Sequence, residues 1–160
     1  MIHYLITRPE HDHTTHYLSQ WSKQTIKFAE KKGVIVLDLN REKATKNEVE
    51  QKLQKVSPEF VVFNGHGNEN TVTGHKNEPI IKVGVNEDVL RNKIIYAISC
   101  KSGKELGVHS VHKGAKAYIG YDDDFIFFYE PNMISRPYHD KTAKLFLEHS
   151  SLFIESILKG

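Results

Sequence analysis

The chain is poor in the residues that would commit it to several protein classes. Its 160 residues include one cysteine, so no disulfide can form within it and a disulfide-stapled scaffold is excluded. No apolar run approaches the roughly 20 residues of a membrane-spanning helix, so no membrane partner is expected. Charge of one sign is also scarce: 22 basic side chains face 20 acidic ones, for a net charge of +2. The lysines are scattered through Lys23, Lys27, Lys31, Lys32, Lys43, Lys46, Lys52 and Lys55, in the manner of solvated helix faces. Nucleic acid is therefore not expected as a partner either. Internal repeats, low-complexity tracts and linkers are missing, which makes residues 1–160 one domain. A single cysteine and a start on the strand-like Ile2-His3-Tyr4-Leu5-Ile6 predict a reducing, cytoplasmic setting.

What remains is an ordinary globular composition, 39% hydrophobic and 26% charged, long enough for a real core. Strand-like and helix-like segments alternate. Residues 2–7 read as a strand. Residues 13–32 read as a helix with Tyr17, Leu18, Trp21, Thr25, Phe28 and Ala29 along one face, ended by Gly33. Strand 34–39, helix 46–56 and strand 59–63 follow. The polar stretch 64–85 carries β-like pieces at 71–73 and 80–83, as a small hairpin over the sheet edge. A short helix at 86–92 precedes strand 94–98, and a helix within 103–113 precedes strand 115–120. Residues 125–129 read as a sixth strand and 141–158 as a closing amphipathic helix with Ala143, Leu145, Phe146, Leu152, Phe153, Ile157 and Leu158 as its apolar residues. This alternation predicts an α/β domain with a mostly parallel sheet of five to six strands, flanked by helices on both faces.

Two strands stop at reactive side chains. Phe60-Val61-Val62-Phe63 runs into Asn64-Gly65-His66-Gly67, and Ile94-Ile95-Tyr96-Ala97-Ile98 into Ser99-Cys100. If these strands are parallel neighbours, imidazole and thiol emerge at one sheet edge, where open α/β sheets bind ligands. The spacing of 34 positions (100 − 66) is enough for a crossover between parallel neighbours. The chemistry this pair predicts is nucleophilic attack by Cys100 on a carbonyl, with His66 as acid/base. Backbone N–H groups of Gly67 and Cys100 would then form the oxyanion hole.

The two motifs, His-Gly and small-residue-Cys, each after an apolar strand and with the histidine first, resemble the clan of caspase-like cysteine peptidases. Residues 101–107 and 114–121 are similar to the post-cysteine helix and next strand of its CHAT and gingipain-like branch, so the resemblance spans about residues 59–121. It implies a caspase-like fold and a cysteine endopeptidase, with a protein or peptide as substrate. In that clan an exposed last strand can pair with its copy, so a homodimer through Phe125-Ile126-Phe127-Phe128-Tyr129 is a further expectation. Two alternatives stay open beside the peptidase: a catalytically inactive interaction module of the same fold, and a flavodoxin-like small-molecule-binding domain.

Asp122, Asp123 and Asp124 follow the fifth main strand. They fit a solvated turn, a calcium-binding cluster, or an acidic pocket for Arg or Lys of a substrate; the substrate-binding role is the one predicted. His13 and His16, beside His11 and Asp12, share a helix face, and His109 and His112 repeat that spacing. Neither group has a cysteine or glutamate partner at a recognised interval, and no dinucleotide or P-loop fingerprint occurs, so neither metal nor cofactor is expected.

Overall fold

The computed structural model describes residues 2–160. Its centre is a five-stranded, all-parallel sheet of β1 (His3–Arg8), β2 (Ile35–Asn40), β3 (Phe60–Asn64), β7 (Ile94–Ile98) and β8 (Ala117–Ile119). The spatial order is β2-β1-β3-β7-β8. Numbered by rank among these five, that is 2-1-3-4-5, the flavodoxin-like order of a doubly wound fold. The chain thus forms a single α/β domain of the kind its alternating elements predict.

The three central strands are buried on both faces, and their side chains sort by parity. Tyr4, Ile6, Phe60, Val62, Tyr96 and Ile98 enter one core with Tyr17, Leu18 and Trp21 of α1 (His13–Lys31) and Ala143, Leu147 and Ile154 of α4 (Lys141–Lys159). Leu5, Val61, Phe63, Ile95 and Ala97 enter the other with Val49 and Leu53 of α2 (Lys46–Lys55) and with Leu106. Each fully buried Leu, Ile or Phe contributes about 1.5–3 kcal/mol, so these two layers supply most of the driving force. The helix α3 (Val108–His112) is one short turn behind a π-helical turn at Gly103–Gly107.

Three elements differ from expectation. The polar stretch after β3 is a three-stranded antiparallel sheet of β4 (Gly67–Asn68), β5 (Thr71–Thr73) and β6 (Pro79–Lys82) rather than a simple hairpin. Residues 125–129 are extended but join no ladder: they make no backbone–backbone hydrogen bond. Phe125, Phe127 and Tyr129 pack on the α1/α4 core, and those aromatic contacts stand in for strand pairing. In α4 the inward face is Ala143, Leu147, Ile154 and Leu158, whereas Leu145, Leu152 and Phe153 look outward. An apolar surplus on both sides of that helix blurred its phase. No helix of the described residues is long and apolar enough to cross a membrane.

Candidate functional site

The carboxyl ends of the five parallel strands release their loops on one side of the sheet. β1 and β3 are paired neighbours, but the chain leaves β1 for β2 on one flank and leaves β3 for β7 on the other, so the loops that follow them part and leave a crevice. Asp12 comes from the β1 loop and His66 from the β3 loop, and they meet across this crevice with His66 Nε2 2.6 Å from Asp12 Oδ2. Asp12 also caps α1: its Oδ1 accepts from the Thr15 N–H at 2.8 Å and from the Thr15 hydroxyl at 2.8 Å. Burial alone would raise the Asp12 carboxyl, but the bonds from Thr15 and His66 outweigh it and hold the group below the usual carboxylate range. As a carboxylate it can only accept, so the shared proton sits on His66 Nε2.

The glycines beside His66 are there for space. A side chain at Gly65, whose φ is 148°, would strike the Thr73 carbonyl, and one at Gly67 would strike the Thr71 carbonyl and Ser99. The His66 carbonyl accepts from the Thr73 N–H at 3.0 Å and the Thr73 hydroxyl at 2.8 Å. The imidazole is therefore clamped between the small antiparallel sheet and the β1 loop, and remains partly exposed.

His11 lies beside the pair. Its Nδ1 accepts from the Lys76 N–H at 3.1 Å, which leaves the proton on Nε2, 3.2 Å from Asn77 Oδ1 and 3.9 Å from Asp12 Oδ2. Lys76 and Asn77 have φ of 52° and 61°, a left-handed turn built where the histidine needs a donor. The sequence singled out neither His11 nor Asp12 for this site. In the sequence both appear only within the histidine cluster at the start of the first helix; the signal was their place at the end of β1, next to β3.

Cys100 follows β7 as His66 follows β3, and in the paired register Asn64 stands opposite Ile98. Imidazole and thiol thus leave the same sheet edge. No hydrogen bond joins them; Cys100 Sγ lies 4.0 Å from the Phe125 carbonyl oxygen. Burial pushes the Cys100 thiol up, and the neighbouring Asp124 carboxylate pushes it the same way. The thiol is held in the protonated form, the opposite of a preformed nucleophile. Its loop is pinned by a chain of hydroxyls, with Ser99 Oγ 3.0 Å from Ser102 Oγ and the Tyr118 hydroxyl donating to Ser102 Oγ at 3.0 Å.

Asp122, Asp123 and Asp124 form an exposed turn at the same edge. The Asp123 carbonyl accepts from the Lys101 N–H at 3.0 Å, its side chain accepts from the Asp124 N–H at 2.8 Å, and Asp124 Oδ1 is 3.6 Å from Lys101 Nζ. Much of this turn is engaged in holding the Cys100 loop. The His13/His16 pair disperses: His13 Nδ1 lies 3.1 Å from the Tyr129 hydroxyl, whereas His16 bridges Glu10 Oε1 at 2.7 Å and the Ile134 carbonyl at 2.8 Å.

No family model and no curated protein matches the chain. Among solved structures it is similar to the signal receiver domain of a protein described as a Luxo repressor, from Vibrio parahaemolyticus, at 13% identity and a TM-score of 0.40, over 99% of this chain and 98% of that one. The solved structure found is a receiver domain, not a protease. The resemblance to caspase-like cysteine peptidases of the CHAT and gingipain-like branch is corrected on the chain's own geometry: His66 pairs with Asp12 instead of Cys100, and the thiol is held protonated. The physical reason lies in the motifs themselves. Any doubly wound sheet that ends one strand in His-Gly and the next in Ser-Cys places both at one edge, so order and spacing report the fold and not a peptidase. The chain is a single α/β domain with flavodoxin-like strand order.

Proposed function

We propose that the chain is a small-molecule-binding domain whose ligand lies in the crevice between the loops after β1 and β3, in contact with His66 and bordered by Cys100. The observation that carries this is the 2.6 Å pairing of His66 with Asp12 across the point where the strand order reverses. The pairing fixes the ring and presents its other nitrogen, Nδ1, to the ligand as a hydrogen-bond acceptor. Cys100 contributes an adjacent neutral thiol. The test is a screen of metabolite-sized compounds by ligand-detected NMR, in buffer with a chelator. Binders should perturb His66 and Gly67, and His66→Ala should weaken them by about tenfold, the value of one well-placed hydrogen bond. Binders that cluster elsewhere, or ignore the substitution, would overturn the assignment.

A second reading, association with another copy of the chain, is favoured by the segment 125–129. Its backbone is unpaired, and Ile126 and Phe128 alternate outward with 64% and 63% exposure. Light scattering of the wild type and of Ile126→Ser/Phe128→Ser separates a dimer that dissociates on substitution from a chain that is monomeric throughout.

A further inference from the structure

We propose that His11, Asp12 and His66 together bind one divalent transition-metal ion of the zinc type. Each offers one ligand atom, and these atoms all lie within 4.8 Å of one another. Two ligands of a tetrahedral ion, each about 2.1 Å from it, stand about 3.4 Å apart. The separations from Asp12 Oδ2, 2.6 Å to His66 Nε2 and 3.9 Å to His11 Nε2, bracket that value, so small adjustments close the site.

The donor chemistry selects the ion. Two imidazoles and one carboxylate suit zinc and its neighbours, whereas magnesium and calcium require sets of oxygens. Three protein ligands leave a fourth position open toward the crevice, the arrangement of a site that also takes an exogenous ligand. The outer shell is in place for Asp12, and the backbone that carries His66 is fixed. Asp12 Oδ1 is held by Thr15, which leaves Oδ2 for the ion, and the His66 backbone is held by Thr73.

The imidazole ligands carry a cost that makes the site recognisable. Metal at Nε2 moves the ring proton to Nδ1 in both imidazoles: His66 gives up its bond to Asp12, and in His11 the moved proton meets the Lys76 N–H that now donates there. The exposed left-handed turn Lys76–Asn77 is the part that yields, and Asn77 Oδ1 loses the N–H it faces. Ion binding therefore shifts a backbone amide that touches no metal. The ion site stands whether or not the crevice also accepts an organic ligand.

The test is titration of the full chain with zinc chloride against a chromophoric chelator, followed by amide NMR. One equivalent should bind, with His11→Ala and His66→Ala each weakening it at least about tenfold, and His13→Ala and His109→Ala leaving it unchanged. The Lys76 amide should shift in step with occupancy, and magnesium should not compete. If a substituted chain fails to fold, cobalt broadening in the wild type gives the same answer, because His11 and His66 signals should vanish first. Absence of uptake at millimolar zinc, an equivalent retained by the His11→Ala/His66→Ala chain, or cobalt broadening centred elsewhere would overturn the site.

Discussion

Replacing Asp12 by asparagine separates its two duties. The Oδ1 of asparagine can still accept from Thr15 and cap α1, but the second carboxylate oxygen becomes an NH2 group that faces His66 Nε2. To avoid donor against donor, the imidazole must move its proton to Nδ1. Both side chains are more than a third exposed, so the lost bond is worth only about 0.5–1 kcal/mol. Asp12→Ala removes the cap as well and should cost about 1 kcal/mol more. At about 2–4 °C per kcal/mol for a domain of this size, the asparagine variant should melt about 1–4 °C lower and the alanine variant about 3–8 °C lower. Calorimetry gives these numbers, and nitrogen-15 NMR of the ring gives the tautomer. A His66 that keeps its proton on Nε2 in Asp12→Asn would refute the pairing as drawn, and equal destabilisation by both substitutions would refute the division of labour.

Asp140 is fully buried and accepts from the Tyr17 hydroxyl at 2.7 Å, the Glu130 N–H at 2.8 Å and the Thr142 and Ala143 N–H groups at 3.0 Å, so Asp140→Asn should lose about 2–4 kcal/mol in urea unfolding. Burial would raise this carboxyl, yet its four donors hold it below the usual range; its contribution is complete above the unfolded carboxylate pKa, near 4, and the gap between wild type and variant should close as pH falls below that. Cys100 should react with iodoacetamide more slowly than a free thiol at neutral pH, and Cys100→Ala should change stability by less than about 1 kcal/mol; rapid alkylation would reveal a thiolate that the raised thiol does not supply. Gly74→Ala should cost about 1–3 kcal/mol by thermal melting, because the added carbon overlaps the Ala44 carbonyl and Ile80.

The fold was legible where pattern and burial coincide. Phe60–Phe63 and Ile94–Ile98 are apolar on both sides, and only a strand inside a covered parallel sheet wants that. The edge was legible too, since a strand that ends in His-Gly or Ser-Cys announces where polar chemistry begins. The partners on that edge were not. Asp12 meets His66 only because β1 and β3 are neighbours, a fact of topology that no local spacing encodes. The state of Cys100 was hidden for a related reason: the carboxylate of Asp124 that opposes its ionisation arrives from a loop 24 positions away (124 − 100). Residues 125–129 misled by composition, because a run of aromatic residues suits a strand and a core-facing strap equally well.

The central sheet ends on one side in the six residues of β2 and on the other in the three of β8. That inequality sets how copies of the chain could extend the sheet. Joining β2 of one molecule to β8 of the next keeps all strands parallel and repeats without limit, which is the geometry of a filament. Joining β2 to β2 turns one molecule about a two-fold axis and uses up both long edges, so growth halts at two. A β8 of three residues offers too little ladder to seed the first arrangement. Lengthening that strand would remove the block, and polymerisation is the hazard to watch in any redesign of the segment after Lys113.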